Sequence, residues 1–103
     1  MEQGTIKHIA FFTLKHHIND EATETFLKEG KDILSAIPVV QNFEVLKQTS
    51  PKMNYDFGFS MEFFSQEDYD TYNRHPSHVA FVEERWKVEV DRFQEVDYIV
   101  LSK

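Results

Sequence analysis

The chain contains no cysteine, which removes disulfides, thiolate nucleophiles and cysteine metal sites together. Its three glycines are too few for a glycine-rich phosphate loop. Positive charge is also scarce. Eleven Lys and Arg stand against 18 Asp and Glu, for a net charge of −7, and the basic residues are scattered singly. Nucleic acid, whose binding requires clustered cations, is therefore not an expected partner. No apolar run approaches membrane-spanning length, and Met1-Glu2-Gln3-Gly4-Thr5 shows no basic-then-apolar leader, so a cytoplasmic protein without a membrane partner is expected. The chain has no G-x-S-x-G elbow and no H-E-x-x-H pair. Because Pro76 separates His75 from His78, their spacing is a poor metal motif, and no metal is expected.

What the chain does have is aromatic bulk: 15% of its residues, ten of them Phe. That is more than disorder tolerates, and enough for some of it to be shared between subunits. Residues 1–103 are expected to form one domain.

The periodicity orders this bulk. From Thr5 to Lys15, Ile6, His8, Ala10, Phe12 and Leu14 alternate with Lys7, Ile9, Phe11 and Thr13, which predicts a strand. Both faces are apolar in the middle, so both are expected to be covered. Asn19 and Asp20 suit a helix N-cap. Ala22, Phe26, Ile33, Leu34 and Ile37 form a helical stripe that ends before Pro38. Phe43–Gln48 reads as a second strand and Tyr55–Phe64 as a third, with Tyr55, Phe57, Phe59, Met61 and Phe63 on its helix-facing side. Ser65 with Asp68 resembles a capping box opening a helix that carries Tyr69 and Tyr72. Pro76 breaks that helix. Ser77 is the expected cap of the next, which runs to about Phe93 with Val79, Val82, Trp86 and Phe93 on its stripe. Glu95–Leu101 is the fourth strand. The order β-α-β-β-α-β is the ferredoxin-like α+β arrangement with an antiparallel sheet, and its two-sided first strand predicts a face-to-face homodimer.

Chemistry concentrates at Tyr72-Asn73-Arg74-His75-Pro76-Ser77-His78-Val79. His78, in the opening turn of a helix, meets the positive end of the macrodipole, which favours a neutral imidazole able to accept a proton. A carboxylate such as Asp97 on its other nitrogen would fix the tautomer. The alternative is a histidine that only satisfies backbone at the break. Tyr72 reads either as a carbonyl partner to His78 or as a core tyrosine, and His8 either as a pocket residue or as a satisfied core imidazole. Gly30 on the buried stripe either brings its helix close to the sheet or leaves space opposite Phe12 and Phe59. His16 and His17 follow the first strand and are expected in solvent.

Lys7-His8-Ile9, Ile37-Pro38, Phe63, His75-Pro76-Ser77-His78-Val79 with Phe81-Val82, and Val96-Asp97-Tyr98 together resemble the stress-responsive dimeric α/β-barrel (Dabb) family across nearly the whole chain. The resemblance implies a homodimer in which two ferredoxin-like sheets form an α/β barrel. It also includes a distant similarity to the plant olivetolic acid cyclase, which closes a polyketide by aldol condensation without a cofactor. That likeness implies His78 as base, Tyr72 as carbonyl partner and His8 in the pocket. Gly30 stands where the cyclase places a pocket tyrosine, and Phe57, Phe59 and Met61 replace smaller or more polar residues, so a differently shaped pocket is expected. The candidate site is thus His78 and Tyr72 for chemistry, with His8, Phe12, Phe26, Gly30, Phe59, Met61, Val82 and Trp86 around a small apolar or aromatic molecule. A cyclase or isomerase and a non-catalytic stress-response or assembly protein are the competing readings.

Overall fold

The computed structural model describes residues 4–102, so Met1–Gln3, part of the stretch read for a leader, and Lys103 lie outside the described residues. Alternation of apolar side chains along β1 (Ile6–Leu14) survives in three dimensions: Ile6, His8, Ala10, Phe12 and Leu14 are buried, and Ile9, Phe11 and Thr13 are half-buried on the other face. β2 (Gln41–Lys47), β3 (Phe57–Phe63) and β4 (Val90–Ile99) complete an antiparallel sheet in the order β2-β3-β1-β4. This is the ferredoxin-like α+β arrangement. Its helices all pack on the face that carries Phe57, Phe59, Met61 and Phe63.

α1 (Glu21–Ser35) starts where the Asp20 carboxylate accepts a hydrogen bond from the Ala22 backbone N–H at 2.9 Å. Its buried stripe is Thr23, Phe26, Gly30 and Leu34. Ile33, expected on that stripe, instead points outward. Thr23 is buried with its hydroxyl satisfied by the His17 carbonyl at 2.7 Å. Gly30 settles one of its two readings. A Cβ built there would lie 2.7 Å from Phe59 Cζ and 3.2 Å from Phe81 Cζ, so the missing side chain is filled by aromatic rings. Close approach, the first of those readings, is its role, and the alternative of open space beside it does not hold.

The second connection departs most from expectation. α2 (Gln66–Arg74) is capped by Ser65, whose hydroxyl accepts from the Asp68 N–H at 3.1 Å. α3 (Pro76–Phe81) is capped by His75 rather than by Ser77: the His75 Nδ1 accepts from the Ser77 N–H at 3.1 Å. Proline fits the first helical position, so the cap belongs to the residue before it. A π-helical turn, Val82–Trp86, then leads into α4 (Lys87–Glu89), its wider winding marked by the Lys87 N–H bonding to the Val82 carbonyl. The extra residue in that turn rotates the chain beyond it away from the ordinary helical period. Upstream of the turn, Val79 is exposed and it is Phe81 that is buried. Of the expected stripe through Val79, Val82, Trp86 and Phe93, only Val79 leaves it; the other three face the space between helices and sheet, Phe93 from β4. The helix ends at Glu89, and Phe93 belongs to β4, which begins at Val90 because it pairs with β1 as far as Leu14.

The core between sheet and helices is a continuous aromatic cluster. Phe12 lies 4.8 Å from Phe59 and 5.0 Å from Trp86 between ring centroids, and Phe26 stacks on Phe59 at 6.2 Å. Gly30→Ala is a direct test of this packing. Alanine adds about 1 kcal/mol of helix propensity, but overpacking a filled core costs about 1–3 kcal/mol. We expect a net loss near 1 kcal/mol in denaturant unfolding, and a larger one for Gly30→Val. An unchanged midpoint for Gly30→Ala would mean that Phe59 has room to move.

Candidate functional site

On β1, Ala10 is the small inward residue between His8 and Phe12, and the register places it beside Phe59 of β3 and Glu95 of β4. Helices roof the space this leaves, giving a cavity of about 310 Å³. Its floor is His8, Ala10, Phe59 and Met61. Tyr72, Asn73, His78 and Phe81 wall one end, and Val82, Trp86 and Phe93 the other. A volume of this size, mostly apolar with a few polar groups, is what a small ligand requires.

Two imidazoles meet this space from opposite layers. On the helical side, His78 stands 4.3 Å from Tyr72, ring centroid to ring centroid. His78 Nδ1 lies 3.3 Å from the Asn73 backbone carbonyl, which can only accept, so Nδ1 carries the hydrogen and Nε2 keeps its lone pair in the neutral ring. Burial holds this imidazole below its ordinary value, an effect the Asn73 carbonyl partly offsets. The Tyr72 hydroxyl is pushed upward chiefly by burial and then by the Glu95 charge, so it remains a protonated donor.

From the sheet side, His8 is held by groups that local spacing could not reveal. Its Nδ1 lies 2.6 Å from an Asp97 carboxylate oxygen and 3.0 Å from the Tyr69 hydroxyl, which donates to the other Asp97 oxygen at 3.1 Å. The carboxylate fixes the hydrogen on Nδ1 and turns Nε2 toward Glu95, 3.6 Å away. Asp97 therefore partners His8, directly opposite it in the β1–β4 register, and not His78 as expected. Burial and the Asp97 charge keep the Tyr69 hydroxyl protonated.

The remaining candidates divide plainly. Phe59, Met61, Val82 and Trp86 line the cavity with His8, Tyr72 and His78; Phe12, Phe26 and Gly30 do not, being packed in the solid core beside it. Sequence reasoning missed Ala10, Leu34, Asn73, Phe81, Lys87, Phe93 and Glu95. Ala10 carried a signal, as a small residue amid large ones on an inward face. Phe93 and Glu95 did not, because both depend on where β4 begins. Of the other histidines, His75 is the cap already described and His16 bonds the Glu89 carboxylate at 2.8 Å. His17 accepts from the Asn19 N–H. Among the described residues no group of three or more metal-ligating side chains converges.

A sequence model of the Stress responsive A/B Barrel Domain, Dabb, matches residues 6–100. The chain belongs to the Dabb family. A Dabb protein of ferredoxin-like fold from Mesorhizobium loti is 53% identical, with a TM-score of 0.93 over 97% of this chain and all of that one. A dimeric protein of unknown function from Bacteroides fragilis is 26% identical, with a TM-score of 0.74 over 97% of this chain and 100% of its own. The hydroxynitrile lyase of Passiflora edulis shares the fold at 13% identity, with a TM-score of 0.84 over 98% of this chain and 97% of its own. Comparison with curated proteins gives no match. In this Dabb chain the H-P-S-H segment is the junction of α2 and α3, with its first histidine spent on capping and its second on the cavity wall.

The lowered His78 value has a definite sign in stability. The unfolded chain takes up that proton at a higher pH than the folded chain does. Stability from this group therefore falls as pH drops below the ordinary 6.5 toward the depressed folded value, and is unaffected above it. His78→Asn should lose less melting temperature between about pH 7 and pH 5 than the wild type, an interval chosen around that titration. An NMR titration of the wild type should place the His78 ring transition below 6.5.

Proposed function

We propose that this Dabb protein is a homodimer that binds one small apolar or aromatic molecule per subunit in the cavity between sheet and helices. The observation that carries the binding reading is the cavity itself, which lies where a filled core would have favoured a purely structural or assembly role. Its aromatic and aliphatic walls supply the burial that drives binding. Tyr72 supplies an O–H donor and His78 Nε2 an acceptor, which together suit a ligand carrying one carbonyl or hydroxyl group.

The dimer is supported by the opposite face of the sheet. There Phe11 and Leu46 lie over Gly58, at 3.4 Å and 3.5 Å from where its Cβ would stand, with Ile9 and Val96 alongside. Among the described residues no layer covers this apolar centre, and the Bacteroides fragilis relative is dimeric. A second copy seated on the same face buries it symmetrically.

A second reading is favoured by one detail. The His78 ring, with Nδ1 on the Asn73 carbonyl, lies 4.3 Å from the Tyr72 ring, so an imidazole base and a phenol donor meet at one cavity. This is the arrangement of a cofactor-independent cyclase or isomerase that removes a proton next to a carbonyl. No metal or organic cofactor enters that reading.

A thermal-shift screen of neutral aromatic and polyketide-like compounds tests the binding reading. A ligand at a hundredfold excess over its Kd adds about 2.7 kcal/mol to stability, and the melting temperature should rise by several degrees. No shift with any member of a broad panel would count against it. Light scattering at micromolar concentration should give twice the 12.2 kDa chain mass, and Phe11→Glu should halve it. For the catalytic reading, His78→Ala should abolish turnover of a β-keto substrate while the dimer stays folded; turnover that survives this change excludes His78 as the base.

A further inference from the structure

Glu95 is the charged group of the cavity that the proposed chemistry leaves unused. Its position on β4, opposite Ala10, brings a carboxylate to the cavity beside His8, and its charge acts on the Tyr72 hydroxyl and on His78 as well. The other charged residue of the lining, Lys87, offers it no compensation. Lys87 turns its ammonium to Glu83, one helical turn back, at 2.6 Å. His8 does not cancel the charge either, because it stands between two carboxylates, Asp97 on Nδ1 and Glu95 on Nε2. Even a protonated ring leaves one negative charge in excess.

We propose that Glu95 is a specificity-determining residue that makes the cavity select aromatic ligands bearing a cationic or N–H-donating group and reject carboxylates of the same size. This rests on the binding reading above. The physical basis is a fixed negative charge beside low-dielectric aromatic walls, where a ligand ammonium gains attraction and a ligand carboxylate meets repulsion. Glu95 has a side chain only half-buried, so its effect is moderate and screened by salt. It is also free to turn toward a ligand, since the basic group beside it, the His8 imidazole, is 3.6 Å away, longer than a hydrogen bond. Glycine or alanine in its place would weaken the cavity's preference for charge, and lysine would oppose it.

Three probes of matched size test the idea: naphthylethanol, naphthylethylamine and naphthylacetate, measured by calorimetry against wild type and Glu95→Gln. The wild type should bind the amine about tenfold more tightly than the carboxylate, with the alcohol between them. In Glu95→Gln the gap should shrink to about threefold, while the neutral alcohol still binds and the far-UV spectrum stays that of the folded protein. In the wild type alone, raising salt should narrow the same gap, a readout independent of how the variant folds. A carboxylate bound as tightly as the amine, or a gap indifferent to Glu95→Gln, overturns the proposal while leaving the binding reading in place. If the alcohol does not bind the wild type, the cavity is not a ligand site and both readings fall together.

Discussion

The contact on which the rest of the molecule depends is the seating of the Phe59 ring tip in the notch left by Gly30. It lets α1 settle against β3 closely enough for Phe26 to stack on Phe59 and for Phe12 to complete the cluster. The same ring presents another edge to the cavity. One side chain therefore closes the core on one side and bounds the empty space on the other. This arrangement keeps the cavity from collapsing into the aromatic cluster, because the atoms that would have to move are already packed at near-crystalline density.

The two imidazoles divide the polar work between layers. His8 belongs to the sheet and is anchored through hydrogen bonds to Asp97 and Tyr69, so its orientation is fixed by strand pairing. His78 belongs to the helical layer and is held by a carbonyl of the preceding helix and by the Tyr72 ring. Any ligand that touches both is held between a rigid floor and a roof built of short helical pieces. The floor is the more stable part, since β1 and β3 are both inner strands, each bonded on two sides.

Much of the architecture was legible because its period is two. The alternation along Ile6–Leu14 and Phe57–Phe63 determined which residues face inward, and serine at 65 marked a helix start through the chemistry of its hydroxyl. What escaped was of two kinds. The π turn at Val82–Trp86 adds a residue without any compositional sign, and a helix drawn through to Phe93 misses the start of β4 at Val90. The pairing of His8 with Asp97 spans 89 positions and exists only once β4 lies beside β1 in a particular register. Asp97 is thus a carboxylate partner for an imidazole, as the sequence suggests, but for His8 and not for His78. Gly30 was ambiguous in principle, since an absent side chain looks the same in sequence whether a ring or a void stands opposite.

Pro76 is usually thought of as an interruption, yet here it works as a joint. In an unbroken helix, residues six apart are separated by about 9 Å of rise and by two-thirds of a turn, so their side chains leave the axis in different directions. Tyr72 and His78 are six apart and their rings are 4.3 Å from each other. The chain achieves this by letting His75 close α2 with its own N–H, on the Tyr72 carbonyl, and open α3 with its ring, on the Ser77 N–H. A single residue thus sets the dihedral bend that folds two successive helices toward a shared focus, and the distance between phenol and imidazole becomes a property of the elbow.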